Sequence, residues 1–218
     1  MAYKSLIFLI DVSGCMADRL NFILEELEFL CKSVLPNIVP PKDIDLSLKI
    51  MTFSQHAEWV CREVPFDKIE WDNIKKNISI KPGGSRLGEA INLVYDTLYY
   101  GDQLFDPSQL APMIVLMMSG GIPTDDYKTS LYRAIEKKIG DEKQGLFARS
   151  SRIAIGFKCH HEYEKEMMIR FGHLSKSLMD KGFKTYYEVN IFDSYKLREI
   201  LNEVIQIFTT ITGFRNLV

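Results

Sequence analysis

Two stretches of this chain are apolar almost without interruption: YKSLIFLID at 3–11 and APMIVLMMSGG at 111–121. A strand with one wet face alternates apolar and polar residues, whereas a strand covered on both faces need not. These runs therefore predict strands at the centre of a sheet that carries helices on both sides. The segments between them fit. LNFILEELEFLCKSVL (20–35) places Leu20, Ile23, Leu24, Leu27, Leu30, Cys31 and Val34 at helical spacing, and PNIVPP ends it. IDLSLKIMTFS (44–54) and AEWVCREVPF (57–66) alternate and read as a hairpin, the second strand an antiparallel edge. A short helix is expected at 67–77, and longer ones at 86–100, 123–139 (proline early, acids in the first turn), 162–181 and 193–212. SRIAIGFKC (151–159) and KTYYEVN (184–190) supply two more strands.

Strands alternating with helices predict an α/β, three-layer, Rossmann-like fold. Its central sheet has about six strands and is mostly parallel, with one antiparallel edge strand and helices on both faces. No repeat or linker divides the sequence, so 1–218 reads as a single domain. With 46% apolar and 26% charged residues the composition suits a folded globule. A net charge of −2 gives no basic face for nucleic acid or an anionic membrane. No stretch approaches the roughly 20 apolar residues of a membrane span. The first run is strand-length, interrupted by Asp11 and lacks a small-residue cleavage site, so it does not read as a signal peptide. Four scattered cysteines (Cys15, Cys31, Cys61, Cys159) show no pairing framework, which points to a reducing, cytoplasmic setting.

In doubly wound sheets ligands bind beyond the carboxyl ends of the strands. DVSGC (11–15), KPGGSRLG (81–88) and MSGGIPTDD (118–126) fall there. Together they resemble the von Willebrand factor A (vWA) family and its metal-ion-dependent adhesion site, in which Asp-x-Ser-x-Ser follows the first strand. DVSGCM (11–16) matches with Cys15 in place of the second serine. GGSRLGEAI (83–91) is similar to the family's Gly-Gly-Thr-x-Leu-Gly-x-Ala, with Ser85 for the threonine. LMMSGGIPTDD (116–126) is similar to the Leu-x-Ser-Asp-Gly-x-Pro-Thr-Asp-Asp form of small bacterial intracellular members, with Gly120 for the aspartate.

The resemblance implies a non-catalytic protein–protein interaction module, bacterial and cytoplasmic, of the tellurite-resistance, stress-response or phage-defence type. Its binding face is the loops at the carboxyl edge of the sheet. Asp11, Ser13 and Ser85 are the implied metal-site residues, Cys15 and Gly120 the altered positions. In the family a metal-bound open position accepts an acidic side chain of a partner protein.

Mg²⁺ wants about six hard oxygen ligands. Cys15 offers soft sulfur instead. Gly120 removes one of two carboxylates, whose gross attraction for a dication about 4 Å away is roughly 8 kcal/mol at an effective dielectric near 20. The implied cofactor is therefore Mg²⁺ held weakly or not at all, or another divalent metal. Asp125 and Asp126 are accessory candidates for restoring the charge, besides being ordinary first-turn acids.

KCHHE (158–162) follows a strand, so His160 and His161 are candidates for facing a partner. Adjacent histidines lack zinc-ligand spacing. KPGGSRLG is not a GxxxxGK[ST] phosphate loop, and DVSGC lacks the GxSxG of a nucleophile elbow. The alternative function is a cysteine-dependent or metal-dependent enzyme centred on Cys15 and the 159–161 loop.

Overall fold

Strand β1 (Lys4–Asp11) divides its side chains between two cores. Leu6, Phe8 and Ile10 enter one apolar cluster, Ile7 and Leu9 the other, and all five are fully buried. Burying each contributes about 1.5–3 kcal/mol, which is why the run needs no polar alternation. Strand β4 (Met113–Ser119) does the same: Ile114, Leu116 and Met118 point one way, Met113, Val115 and Met117 the other. The computed structural model that shows this describes residues 4–38, 46–104, 113–136, 138–139, 143–159, 161–189 and 193–212.

Between β1 and β4 the chain forms α1 (Leu20–Phe29), a π-helical turn (Leu30–Val34), α2 (Leu35–Ile38), β2 (Leu46–Phe53), β3 (Ala57–Pro65), α3 (Trp71–Asn77) and α4 (Leu87–Leu104). After β4 come α5 (Tyr127–Glu136), a two-stranded β5 (Lys138–Ile139) and β6 (Lys143–Gln144), and α6 (Leu146–Arg149). The remainder is β7 (Ser151–Phe157), α7 (Glu162–Phe171), α8 (Lys176–Met179), β8 (Tyr186–Val189) and α9 (Ser194–Thr212).

The main sheet has six strands in the order β3-β2-β1-β4-β7-β8. All neighbours are parallel except β2 and β3, which form the expected antiparallel edge. One core lies under α1, α3 and α9 (Ile23, Leu27, Trp71, Ile200, Val204, Phe208). The other lies under α4, α5 and α7 (Ile91, Val94, Leu131, Met167, Phe171). This is the three-layer arrangement that the two apolar runs predict.

Three helices are shorter than the sequence pattern suggests, among them the one expected at 67–77, which begins at Trp71 after a separate 3₁₀ turn at Phe66–Lys68. Helix α5 starts at Tyr127 instead of 123 because Pro123 pairs in extended form with Ser85, and Thr124 N–H donates to the Ser85 carbonyl at 2.8 Å. The helix expected over 162–181 breaks after Phe171. There His173 pairs antiparallel with Arg152, two backbone bonds of 2.8 Å drawing the chain onto β7. The β5–β6 hairpin and α6 carried no readable signal, being two to four residues long.

Candidate functional site

The chain runs from β1 outward to β2 and β3, then returns to place β4 on the other side of β1. That reversal opens a crevice at the carboxyl ends of β1 and β4, the general ligand position of such sheets. Ile10 pairs with Met118, so the next residues, Asp11 and Ser119, flank the crevice. Backbone bonds stitch the surrounding loops together. Val12 N–H donates to Phe53 at 2.9 Å, Lys81 N–H to Val12 at 2.8 Å, and Arg86 N–H to Ser54 at 2.9 Å. Gly83 takes a positive φ of 118° at the bend of the second loop, a conformation that suits glycine.

Asp11 is fully buried and its carboxylate is the centre of the cluster. One oxygen accepts the Ser13 backbone N–H at 2.9 Å. The other accepts the Ser119 hydroxyl at 2.5 Å, the Ser85 hydroxyl at 3.2 Å and, at 3.9 Å, the Cys15 thiol. Ser13 Oγ lies 3.1 Å from Cys15 Sγ. Gly121 passes so close that an added Cβ would sit 2.9 Å from Cys15 Sγ and 3.4 Å from Asp11 Oδ2. Burial, then the charge of Asp11, raises the Cys15 thiol above its ordinary pKa, against opposing contributions from Ser13, Arg19 and the Gly120 backbone. Among the described residues no histidine hydrogen-bonds to the thiol or is among the groups that shift it.

The structure thus brings Asp11, Ser13, Cys15 and Ser85 to one point. Ser119, which sequence reasoning had not singled out, makes the shortest bond there. Its signal was its place: it ends β4 where Asp11 ends β1. Gly120 faces a second unanticipated residue. A Cβ at 120 would lie 2.6 Å from the Phe157 carbonyl oxygen, 2.7 Å from Arg19 Nη1 and 3.1 Å from Met16 Sδ. Arg19 is buried, and its Nη1 donates to the Phe157 carbonyl at 2.9 Å. Nothing in the sequence distinguished Arg19 from a solvated residue at a helix start.

Asp125 and Asp126 have other work. The two oxygens of Asp125 accept the Gly88 and Glu89 backbone N–H groups, each at 2.9 Å, capping α4 from the neighbouring loop. Asp126 accepts Thr129 N–H at 3.2 Å and caps α5; the Thr129 side chain, and after it that backbone bond, hold its carboxyl below the usual range. His161 is exposed, and its backbone N–H donates to Glu164 at the start of α7. His160 lies outside the described residues. The Cys159 thiol is buried and pushed up to about 11 by that burial. Among the described residues no group of three or more His, Cys, Asp or Glu side chains has metal-binding geometry.

The vWA resemblance implies a dication at this donor set. The set offers one carboxylate, three hydroxyls and a thiol with a raised pKa, and the carboxylate oxygen is already engaged by two of the hydroxyls. The second carboxylate position has no room for a side chain and is bordered by a guanidinium. These residues do not fit a resident Mg²⁺.

No family model and no curated protein matches the chain at a significant level. Solved structures do match. Proximal thread matrix protein 1 from the mussel byssus aligns with a TM-score of 0.64 at 14% identity over 95% of this chain. The same protein with a zinc-occupied MIDAS motif aligns with a TM-score of 0.64 at 15% identity, also over 95%. This chain spans about half the length of the structures it matches, 48% in both cases. At such identities the likeness shows the fold, a Rossmann-like vWA fold.

Proposed function

We propose that this protein is a non-catalytic interaction module that binds a partner protein on the loop face around Asp11. The observation that carries the reading is the convergence of three loops at the β1–β4 crevice, their polar groups mutually satisfied around one buried carboxylate. Such a cluster fixes a surface without presenting a poised nucleophile. Gly14, Cys15 and Ile122 stand exposed on that surface, Ile122 with 45% of its area accessible. A bacterial stress-response or defence setting is part of the proposal and draws its support from the sequence likeness of the PTDD segment alone. The zinc-occupied motif of the mussel protein supports divalent-metal chemistry on this fold, while the donor set here argues for contacts made without it. The enzyme alternative needs an activated thiol, and the Cys15 environment shifts it the other way.

The test is quantitative co-purification from the cells of origin using wild type, Ile122→Glu and, as a control far from the loops, Lys181→Glu. A partner retained by wild type and the control but lost from Ile122→Glu supports the reading. Equal retention by all three refutes the loop face.

A further inference from the structure

The Arg19 guanidinium occupies the flank of the site from which a second carboxylate would have to point. Its side chain is 8% exposed. Nη1 is fixed on the Phe157 carbonyl at the end of β7, and Nε lies 3.1 Å from Asp18 Oδ1. Lys158, the next residue after Phe157 and held at a φ of 52°, donates to the other Asp18 oxygen at 3.3 Å. Asp18 therefore answers two cations, and the trio keeps one net positive charge beside the crevice. Nor can position 120 be refitted with a carboxylate by rotating Arg19 away, because the Phe157 backbone carbonyl itself stands 2.6 Å from the Cβ position.

We propose that Arg19 is the permanent cation of this site. Its guanidinium stands in for the dication and its second carboxylate, so the loop face works without a divalent metal. The Asp11 carboxylate is satisfied by protein donors in place of a metal shell. This deepens the loop-face reading by removing a metal-bridged acid from the partner's side of the contact. Its experiment reads cation binding alone, so the two ideas fail separately.

The test is calorimetric titration of the chelator-stripped full chain with Mg²⁺ and with Mn²⁺. Wild type, Cys15→Ser, and the double variant Cys15→Ser with Arg19→Gln are compared. Wild type and Cys15→Ser are expected to show no saturable binding. The double variant is expected to show saturable binding, since deleting a neighbouring unit charge is worth on the order of 100-fold in affinity, between the water and protein-surface limits. Saturable binding by wild type overturns the proposal. So does a double variant that melts like wild type yet gains no affinity. Should the Arg19 variant fail to fold, Mn²⁺ line broadening on wild type decides. The amide signals of Ser13, Ser85 and Ser119 should stay as sharp as buried amides elsewhere. Selective broadening of those three at substoichiometric Mn²⁺ overturns the proposal.

Discussion

Replacing Asp125 with alanine asks whether its carboxylate serves α4 or the Asp11 cluster. Both oxygens receive backbone N–H groups of the first turn of an 18-residue helix at 2.9 Å. Losing an N-terminal cap costs about 0.5–2 kcal/mol. Losing the negative charge at that end of the helix dipole adds roughly 0.3–1 kcal/mol. The expected loss is therefore about 2 kcal/mol, or roughly 4–8 °C in melting temperature for a domain of this size. Gly88→Ala gives a second handle, since its Cβ would meet Asp125 Oδ2 at 2.9 Å, Ser130 Oγ at 3.0 Å and the Tyr127 Cα at 3.1 Å. Part of that clash disappears once Asp125 is gone, so the double variant should lose less than the two single losses added together, by about 0.5 kcal/mol or more. Thermal unfolding followed by far-UV circular dichroism measures all three. An Asp125→Ala protein melting within about 1 °C of wild type, with additive losses in the double variant, contradicts the cap assignment. The carboxylate would then not be the α4 cap, and its role as an accessory ligand beside Asp11 would reopen.

Ser119→Ala removes a hydroxyl from a buried carboxylate and should cost about 1.5–3 kcal/mol in urea unfolding, whereas Ser13→Ala, whose backbone N–H keeps its bond to Asp11, should cost about 1 kcal/mol or less. Equal losses would contradict the cluster geometry. Gly120→Ala should lower stability by about 2 kcal/mol through its clash with the Phe157 carbonyl and Arg19, and Gly120→Asp by more; an unchanged melting temperature for either would show that the crevice wall yields. Cys15 is exposed, yet its pKa is raised, so iodoacetamide should modify it at pH 7 more slowly than a free cysteine, with the rate climbing as pH passes the ordinary thiol value of about 8.5. Alkylation faster than that of a free cysteine at pH 7 would favour the enzyme alternative.

The sheet was legible because burial on both faces leaves an unbroken apolar run, and β1 and β4 are such runs. Their neighbours followed from length and alternation. Where helices ended was less legible, since the breaks at Pro123 and His173 come from pairing with Ser85 and Arg152, residues distant in sequence. The site divides the same way. Asp11, Ser13, Cys15 and Ser85 announced themselves by spacing within short loops. Ser119 was visible only through the parallel register that sets it beside Asp11. Arg19 was not visible at all, because its role depends on the Phe157 carbonyl, 138 residues away. Asp125 showed its charge in the sequence but not its direction, which the approach of α4 decides.

A metal-free loop face requires Asp11 to be held by the protein's own donors. A crystal structure of the wild-type chain soaked in Mn²⁺, with anomalous data collected, tests this most directly. The Ser85 and Ser119 hydroxyls are expected on Asp11 Oδ2 and Arg19 on the Phe157 carbonyl, with no anomalous peak among them. A peak bonded to Ser13 and Ser85 oxygens, with the Ser119 hydroxyl displaced from Asp11, would contradict it.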